Sequence, residues 1–156
     1  MKTRILILLA AAFALASCEK QEDLVTNVTG TWHQVINFDS DSSFQYSGNF
    51  TIEQSEDGTL TGYFIFEGNV PVYVDLNNSF VDGDNIFMSW NFFGNYPGLR
   101  INYLLEFEGT VNGDSMSGIW YFDGEYKGKW EAEKGSSQLK SATNSVTMED
   151  FIERLK

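Results

Sequence analysis

The sequence predicts an all-β fold, an eight-stranded antiparallel up-and-down barrel followed by a short C-terminal helix. From about residue 29 to residue 134, apolar and polar residues alternate with a period of two, as in strands that bury one face. Turns of the Asp-Gly or Asn-Gly type at Gly58, Gly83, Gly113 and Gly124 favour tight hairpins. Consecutive hairpins can close into a barrel without exposed edges, and a two-sheet β-sandwich is the alternative.

Each predicted strand has its own set of inward-facing residues. In chain order they are Trp32, Gln34 and Ile36; Tyr46, Gly48, Phe50 and Ile52; Leu60, Gly62, Phe64 and Phe66; Val70, Val72 and Val74; Ile86, Met88, Trp90 and Phe92; Leu99, Ile101, Tyr103, Leu105 and Phe107; Met116, Gly118, Trp120 and Phe122; and Tyr126, Gly128, Trp130 and Ala132. In the last strand, Lys127, Lys129, Glu131 and Glu133 occupy the outward positions between them. The barrel domain is therefore expected to span residues 28–134.

The start of the chain has the pattern of a targeting segment. Lys2 and Arg4 give a positive beginning, and the apolar run over residues 5–15 is too short to span a bilayer of about 30 Å. The run ends in Leu-Ala-Ser-Cys at residues 15–18, which includes the only Cys of the chain. This order resembles the bacterial lipoprotein signal. An ordinary secretory signal is the alternative.

The resemblance implies that residues 1–17 are a signal peptide and that Cys18 is the lipid attachment point. A diacylglyceryl thioether on Cys18 and an acyl chain such as palmitate on its amino group would anchor the protein stably. The implied location is the Gram-negative cell envelope, on the periplasmic or the surface face of the outer membrane. Residues 18–27 then form a tether, whose acidic residues resemble the surface-export signals of Bacteroidota lipoproteins. A solvated spacer is the alternative reading of the tether.

Charge and composition exclude several classes of function. The net charge is −12, and it becomes −14 once Lys2 and Arg4 are removed, which argues against binding to nucleic acid or to anionic headgroups. A single Cys and a single His, His33, rule out a disulfide framework, a Cys-rich zinc site and most His-centred catalytic arrays. No phosphate loop or nucleotide fingerprint is present. We therefore expect no enzyme, no cofactor and no metal.

The first predicted strand opens with Gly30-Thr31-Trp32. This Gly-x-Trp opening resembles the calycin superfamily, which includes lipocalins, fatty-acid-binding proteins and avidins, and residues 57–62 look like the second hairpin of avidins. The resemblance implies a lipocalin-like barrel in which Trp32 closes one end against a basic side chain near the end of the last strand. The candidates for that side chain are Lys127, Lys129 and Lys134.

The C-terminal region divides into a linker and an amphipathic helix. Residues 135–146 are rich in Ser, Lys, Asn and Thr, and Thr147 is a suitable N-cap for a helix over residues 147–156. The apolar residues of this helix recur at helical spacing and form one stripe, which needs a surface to cover it. They are Met148, Phe151, Ile152 and Leu155. Docking on the outside of the barrel and binding to a protein partner are the two main alternatives.

The barrel interior is the remaining candidate for a functional site. Its apolar and aromatic lining, with a few polar groups, is typical of a site for one small apolar or amphiphilic ligand, bound without catalysis. The residues expected to contact that ligand are Gln34, Tyr46, Trp90, Tyr103, Trp120 and Tyr126. Inward glycines either leave room for a ligand or mark bends in the strands. The alternative is a filled barrel that acts as a structural or protein-interaction module of an envelope complex.

Overall fold

The computed structural model describes residues 26–66, 72–96 and 99–135, together with Phe151 and Arg154. These residues form a closed barrel in which each strand pairs antiparallel with its neighbours in sequence. The strands are β1 (Gly30–Phe38), β2 (Asp41–Gln54), β3 (Thr59–Phe66), β4 (Val72–Asp82), β5 (Asn85–Tyr96), β6 (Leu99–Asn112), β7 (Ser115–Phe122) and β8 (Glu125–Lys134). No helix in this described part of the chain is long and apolar enough to cross a membrane.

Pairing of the first strand with the last closes the ring. β1 pairs with β8 from Trp32 opposite Lys134 to Phe38 opposite Gly128, and it pairs with β2 along its other edge. The predicted eight-stranded antiparallel barrel is therefore confirmed. The two-sheet sandwich is excluded, because a sandwich leaves open sheet edges and this ring of strands leaves none.

The hairpin between β7 and β8 has the backbone that its sequence predicts. Asp123 and Gly124 both have positive φ, 49° and 79°, as the central residues of a type I′ turn require. The Asp123 carboxylate accepts a hydrogen bond of 2.8 Å from the Leu104 amide, which ties the turn to β6. The residues of this turn thus determine the hairpin and its position against β6.

Two inward glycines mark close approaches between strands. Gly62 and Gly128 have φ of 146° and 158°, and a Cβ at either position would collide with a backbone oxygen, of Thr51 and of Asn37 respectively. These glycines let the barrel bend and coil tightly. At Gly48 the vacant position is covered by a ring, since a Cβ there would lie 2.7 Å from Cζ of Phe64. These three glycines therefore serve strand curvature and packing, and they do not leave open room.

The core is an aromatic network that fills much of the barrel interior. All four tryptophans of the chain are almost completely buried. Ring contacts form a continuous path along the barrel: Trp32–Phe50 at 6.4 Å, Phe50–Trp90 at 6.2 Å, Trp90–Phe107 at 4.7 Å, Phe107–Trp120 at 6.2 Å and Trp120–Phe151 at 6.0 Å between centroids. Such stacked and edge-on pairs stabilise a core beyond the apolar area that they bury.

Candidate functional site

One end of the barrel is closed around Trp32. The indole Nε1 of Trp32 donates a hydrogen bond of 2.9 Å to the carbonyl oxygen of Val28, and Val28 is itself fully buried. The ammonium of Lys134 lies 5.5 Å from the centre of the Trp32 ring, in a cation–π arrangement. Of the three lysines considered from the sequence, Lys134 is the one that contacts this ring.

The geometry gives a physical reason for the glycine of the Gly-x-Trp opening. Gly30 has a φ of 143°, and a Cβ at this position would lie 2.9 Å from Cε of Lys134. The absence of a side chain therefore lets Lys134 pass across the start of β1 toward the Trp32 ring. The Val28 amide also donates to Oε1 of Gln54 at 2.9 Å, so residues 26–29 are tied across this end.

The opposite end is covered by Phe151, one of the two described residues of the C-terminal segment. Phe151 is helical and only 1% exposed. Its ring packs against three inward-facing rings, Phe38 at 5.7 Å, Tyr46 at 5.0 Å and Trp120 at 6.0 Å. Phe151 thus enters the mouth of the barrel, whereas the sequence pattern favoured docking on the outer wall. Met148, Ile152 and Leu155 of the predicted stripe lie outside the described residues.

Arg154, of the same segment, contacts the rim of the barrel. Its guanidinium stacks over the Phe44 ring at 4.0 Å and forms an ion pair with Asp41. Hydrogen bonds from Ser43, and then the one from Arg154, lower the pKa of Asp41 below its usual range. Both partners of the ion pair are partly exposed, so the ion pair itself contributes little to stability.

Two polar side chains inside the barrel lack hydrogen-bond partners among the described residues. Gln34 is 0% exposed, and neither atom of its amide is paired within that set. Trp90 is 1% exposed, and its indole Nε1 is unpaired in the same sense. Buried polar groups in folded proteins are nearly always paired, so each of these atoms requires an explanation.

The other three tryptophans show that Trp90 is an exception. Trp32 donates to Val28, Trp120 donates to the carbonyl oxygen of Asn37 at 2.9 Å, and Trp130 donates to that of Glu108 at 3.1 Å. Each of these indoles has found a backbone acceptor, as buried Trp normally does. Trp90 alone, among the described tryptophans, keeps a donor without an acceptor.

Gln34 and Trp90 are both buried and lie on opposite walls of the barrel. Gln34 lies on β1 and Trp90 on β5, four strands away in either direction around the closed barrel. Phe64 borders both positions, because its ring covers Gly48, the β2 neighbour of Gln34, and makes an edge-on contact of 5.7 Å with Trp90. The ring of Phe64 therefore lies near both positions, and aromatic rings surround Trp90.

Three more of the expected ligand contacts have different surroundings. Tyr46 and Trp120 are buried directly beneath Phe151. Tyr103 is only partly buried, and its ring packs on Phe122 at 4.8 Å. These residues are nearer the mouth, so the deep polar site comprises Gln34 and Trp90.

The prediction that Tyr126 faces the interior is wrong. Tyr126 is 45% exposed, contacts Tyr121 at 6.2 Å, and its hydroxyl donates to Asp39 at 2.6 Å. This hydrogen bond raises the pKa of Tyr126. The cause is a bulge between Trp120 and Tyr121, which shifts the β7–β8 register so that Tyr126 pairs with Tyr121. An extra residue in one strand reverses the inward and outward faces beyond it.

Among the described residues, His33 and Asp57 make local contacts. Nδ1 of His33 lies 3.2 Å from Oδ1 of Asn49, which is a contact between neighbouring strands. No group of three or more His, Cys, Asp or Glu residues is close enough to hold a metal within this set. Asp57 accepts hydrogen bonds from the Ser55 hydroxyl and the Thr59 amide, which lower its pKa to about 2. That carboxylate serves the β2–β3 turn.

Comparison with known proteins found no matching family model, curated protein or solved structure. Cys18 and the predicted signal peptide lie outside the described residues.

The unpaired state of Gln34 and Trp90 was not visible in the sequence, because it depends on what each side chain meets inside the barrel. The insertion of Phe151 was also missed, although its place in an apolar stripe with Arg154 three residues later was the available signal.

Proposed function

We propose that this protein binds a small, largely apolar molecule inside its barrel without catalysis. The observation that carries the proposal is the pair of buried side chains, Gln34 and Trp90, on opposite walls of the barrel, whose polar atoms have no partners in the described structure. A bound molecule would supply those partners, and the surrounding rings would supply apolar contact area.

The energetics support an occupant. Leaving a buried donor or acceptor without a hydrogen bond costs about 1–3 kcal/mol, and the amide and the indole together present three such atoms. An apolar residue at position 34 would avoid most of this cost. A Gln at this position is explained if its amide forms hydrogen bonds to a bound molecule, and the aromatic surroundings suit a ligand best.

Native mass spectrometry of protein purified from the organism that makes it tests this function. We expect an excess mass that disappears on denaturation, and we expect Gln34→Met to lose it. Gln45→Met is a matched control, because Gln45 is exposed on the outer face of β2 and bonds only to Asn37 in the described structure. Wild-type protein whose mass is the same under native and denaturing conditions would contradict the proposal.

A filled barrel that binds a protein partner is the second candidate. It is favoured by aromatic pairs on the outer face, where Tyr73 is 63% and Phe80 is 49% exposed. Their rings contact Tyr63 at 5.6 Å and Phe87 at 5.5 Å. Exposed aromatic residues of this kind are common in protein interfaces. Under this function, Tyr73→Ser with Phe80→Ser would abolish capture of the partner and leave the interior unchanged.

We also propose that the mature protein is a lipoprotein, anchored to the outer membrane through Cys18. The support is the order Leu-Ala-Ser-Cys at residues 15–18 after a short apolar run. Cys18→Ala should release the protein from the membrane fraction, whereas Ser17→Ala, which keeps a small residue, should leave it there. Sedimentation of Cys18→Ala with membranes would overturn the lipid anchor.

A further inference from the structure

We infer that the molecule bound in the barrel is uncharged and carries a hydrogen-bond donor and acceptor side by side, as a lactam or carboxamide does. This inference rests on the proposed binding function and gives its ligand a chemical class. It follows from the donor and acceptor inventory of Gln34 and Trp90, from the charge of the residues around them, and from the shape of the surrounding walls.

The hydrogen-bonding inventory determines what the ligand must offer. A Gln amide has an acceptor oxygen and a donor NH₂, and a Trp indole has one donor and no acceptor. An occupant that satisfies all of them presents a donor and an acceptor to Gln34 and an acceptor to Trp90. Rotating the amide by half a turn exchanges its two atoms but does not change this requirement. A hydrocarbon or a simple acyl chain would leave every one of these atoms unpaired.

The charge of the interior excludes an ionised ligand group at this position. The buried polar residues among those described are Gln34, Ser79 and Ser89, and none of them carries a charge. The two serines are already engaged, because Oγ of Ser79 accepts from the Ser89 amide at 3.0 Å and donates to the Asn77 carbonyl at 2.9 Å. A carboxylate or ammonium beside Gln34 would therefore be buried without a counter-charge, which is strongly unfavourable.

The walls favour a flat molecule. Trp90 is surrounded by the rings of Phe50, Phe64 and Phe107, at 6.2, 5.7 and 4.7 Å. Gln34 has small neighbours on both sides in the sheet, Gly48 on β2 and Ala132 on β8. Aromatic rings around Trp90 and a polar amide at Gln34 suit a planar amide-type heterocycle better than a branched or saturated molecule.

Three probes of similar size separate the properties at issue. They are 2-pyridone, a neutral lactam; benzene, which has no polar group; and benzoate, which is charged. Dissociation constants measured by ligand-detected NMR on the full protein should show binding of 2-pyridone and benzene and no binding of benzoate. In Gln34→Met the preference for 2-pyridone over benzene should fall at least ten-fold, and in Gln45→Met it should not change. Circular dichroism would verify that both variants are folded.

The outcomes distinguish this inference from the function on which it rests. Binding of benzoate as tight as that of 2-pyridone, or a preference that is unaffected by Gln34→Met, would overturn the ligand class and leave the binding function standing. A retained natural molecule that carries a carboxylate, phosphate or ammonium group would do the same. If no probe binds and protein from its own organism has the same mass under native and denaturing conditions, both proposals are overturned.

Discussion

Gln34 is the residue at which stability and function conflict most clearly. Its amide is fully buried and unpaired within the described structure, so it destabilises the empty barrel while providing polarity in an apolar interior. Trp90 has the same character on the opposite wall. Side chains that weaken a fold in this way are typical of sites whose partner is a ligand.

Replacing Gln34 with Met should therefore stabilise the ligand-free protein. Met has a similar volume and needs no hydrogen bond, so we expect the free energy of unfolding to rise by about 1 kcal/mol. Urea denaturation of protein made in a heterologous host measures this change, with Gln45→Met as the near-neutral control. A loss of stability in Gln34→Met would mean that the amide has a partner in the empty protein.

Asp57 shows how a single carboxylate supports a hairpin. Hydrogen bonds from the Ser55 hydroxyl and the Thr59 amide lower its pKa from 3.8 to about 2. A lowered folded-state pKa means that the carboxylate contributes stability above its unfolded pKa, and that this contribution is lost as the pH falls toward 2. An NMR titration should give a pKa near this value, and Ser55→Ala should raise it toward 3.8. An unchanged pKa in Ser55→Ala would contradict the assignment.

Phe151 and Arg154, the two described residues of the C-terminal segment, complete one end of the barrel. Phe151 packs in the mouth between β1, β2 and β7. Arg154 stacks on Phe44 and forms an ion pair with Asp41 at the rim. A molecule that enters this end between β1, β2 and β7 would displace the Phe151 ring. Packing of the segment is thus linked to access to the interior site.

Phe151→Ala should lower the free energy of unfolding by about 3 kcal/mol, because it removes a nearly completely buried ring from an aromatic cluster. Arg154→Gln should destabilise the protein less than Phe151→Ala does, because it removes only a stacking contact with Phe44 and a partly exposed ion pair with Asp41. Thermal and urea denaturation measure both changes. If Phe151→Ala unfolds like the wild type, the segment does not pack in the mouth as described.

For the whole molecule, the sequence predicted the closed barrel because the responsible signals are local. Period-two alternation gave the strands, and pairs such as Asp123-Gly124 gave the tight turns that make sequence neighbours spatial neighbours. Tyr126 was assigned to the wrong face because a bulge in the β7–β8 pairing interrupts that alternation. The alternation of apolar and polar residues does not reveal where such a bulge lies.

The candidate site was predicted only in part. Gln34 and Trp90 were recognised as inward by parity, but their lack of partners depends on how long-range packing arranges the neighbouring rings. The apolar stripe of the C-terminal helix indicated that a surface must cover it, yet the same stripe fits an outer wall, a partner or a barrel mouth. Contacts of Phe151 with residues more than a hundred positions away decided between them.

A high-resolution crystal structure of protein purified from its own organism tests the central claim most directly. We predict electron density for a small organic molecule with polar atoms about 2.7–3.2 Å from the Gln34 amide and from Nε1 of Trp90. Density for side chains and ordered water alone between these two residues would contradict the account, and would leave the protein as a filled barrel.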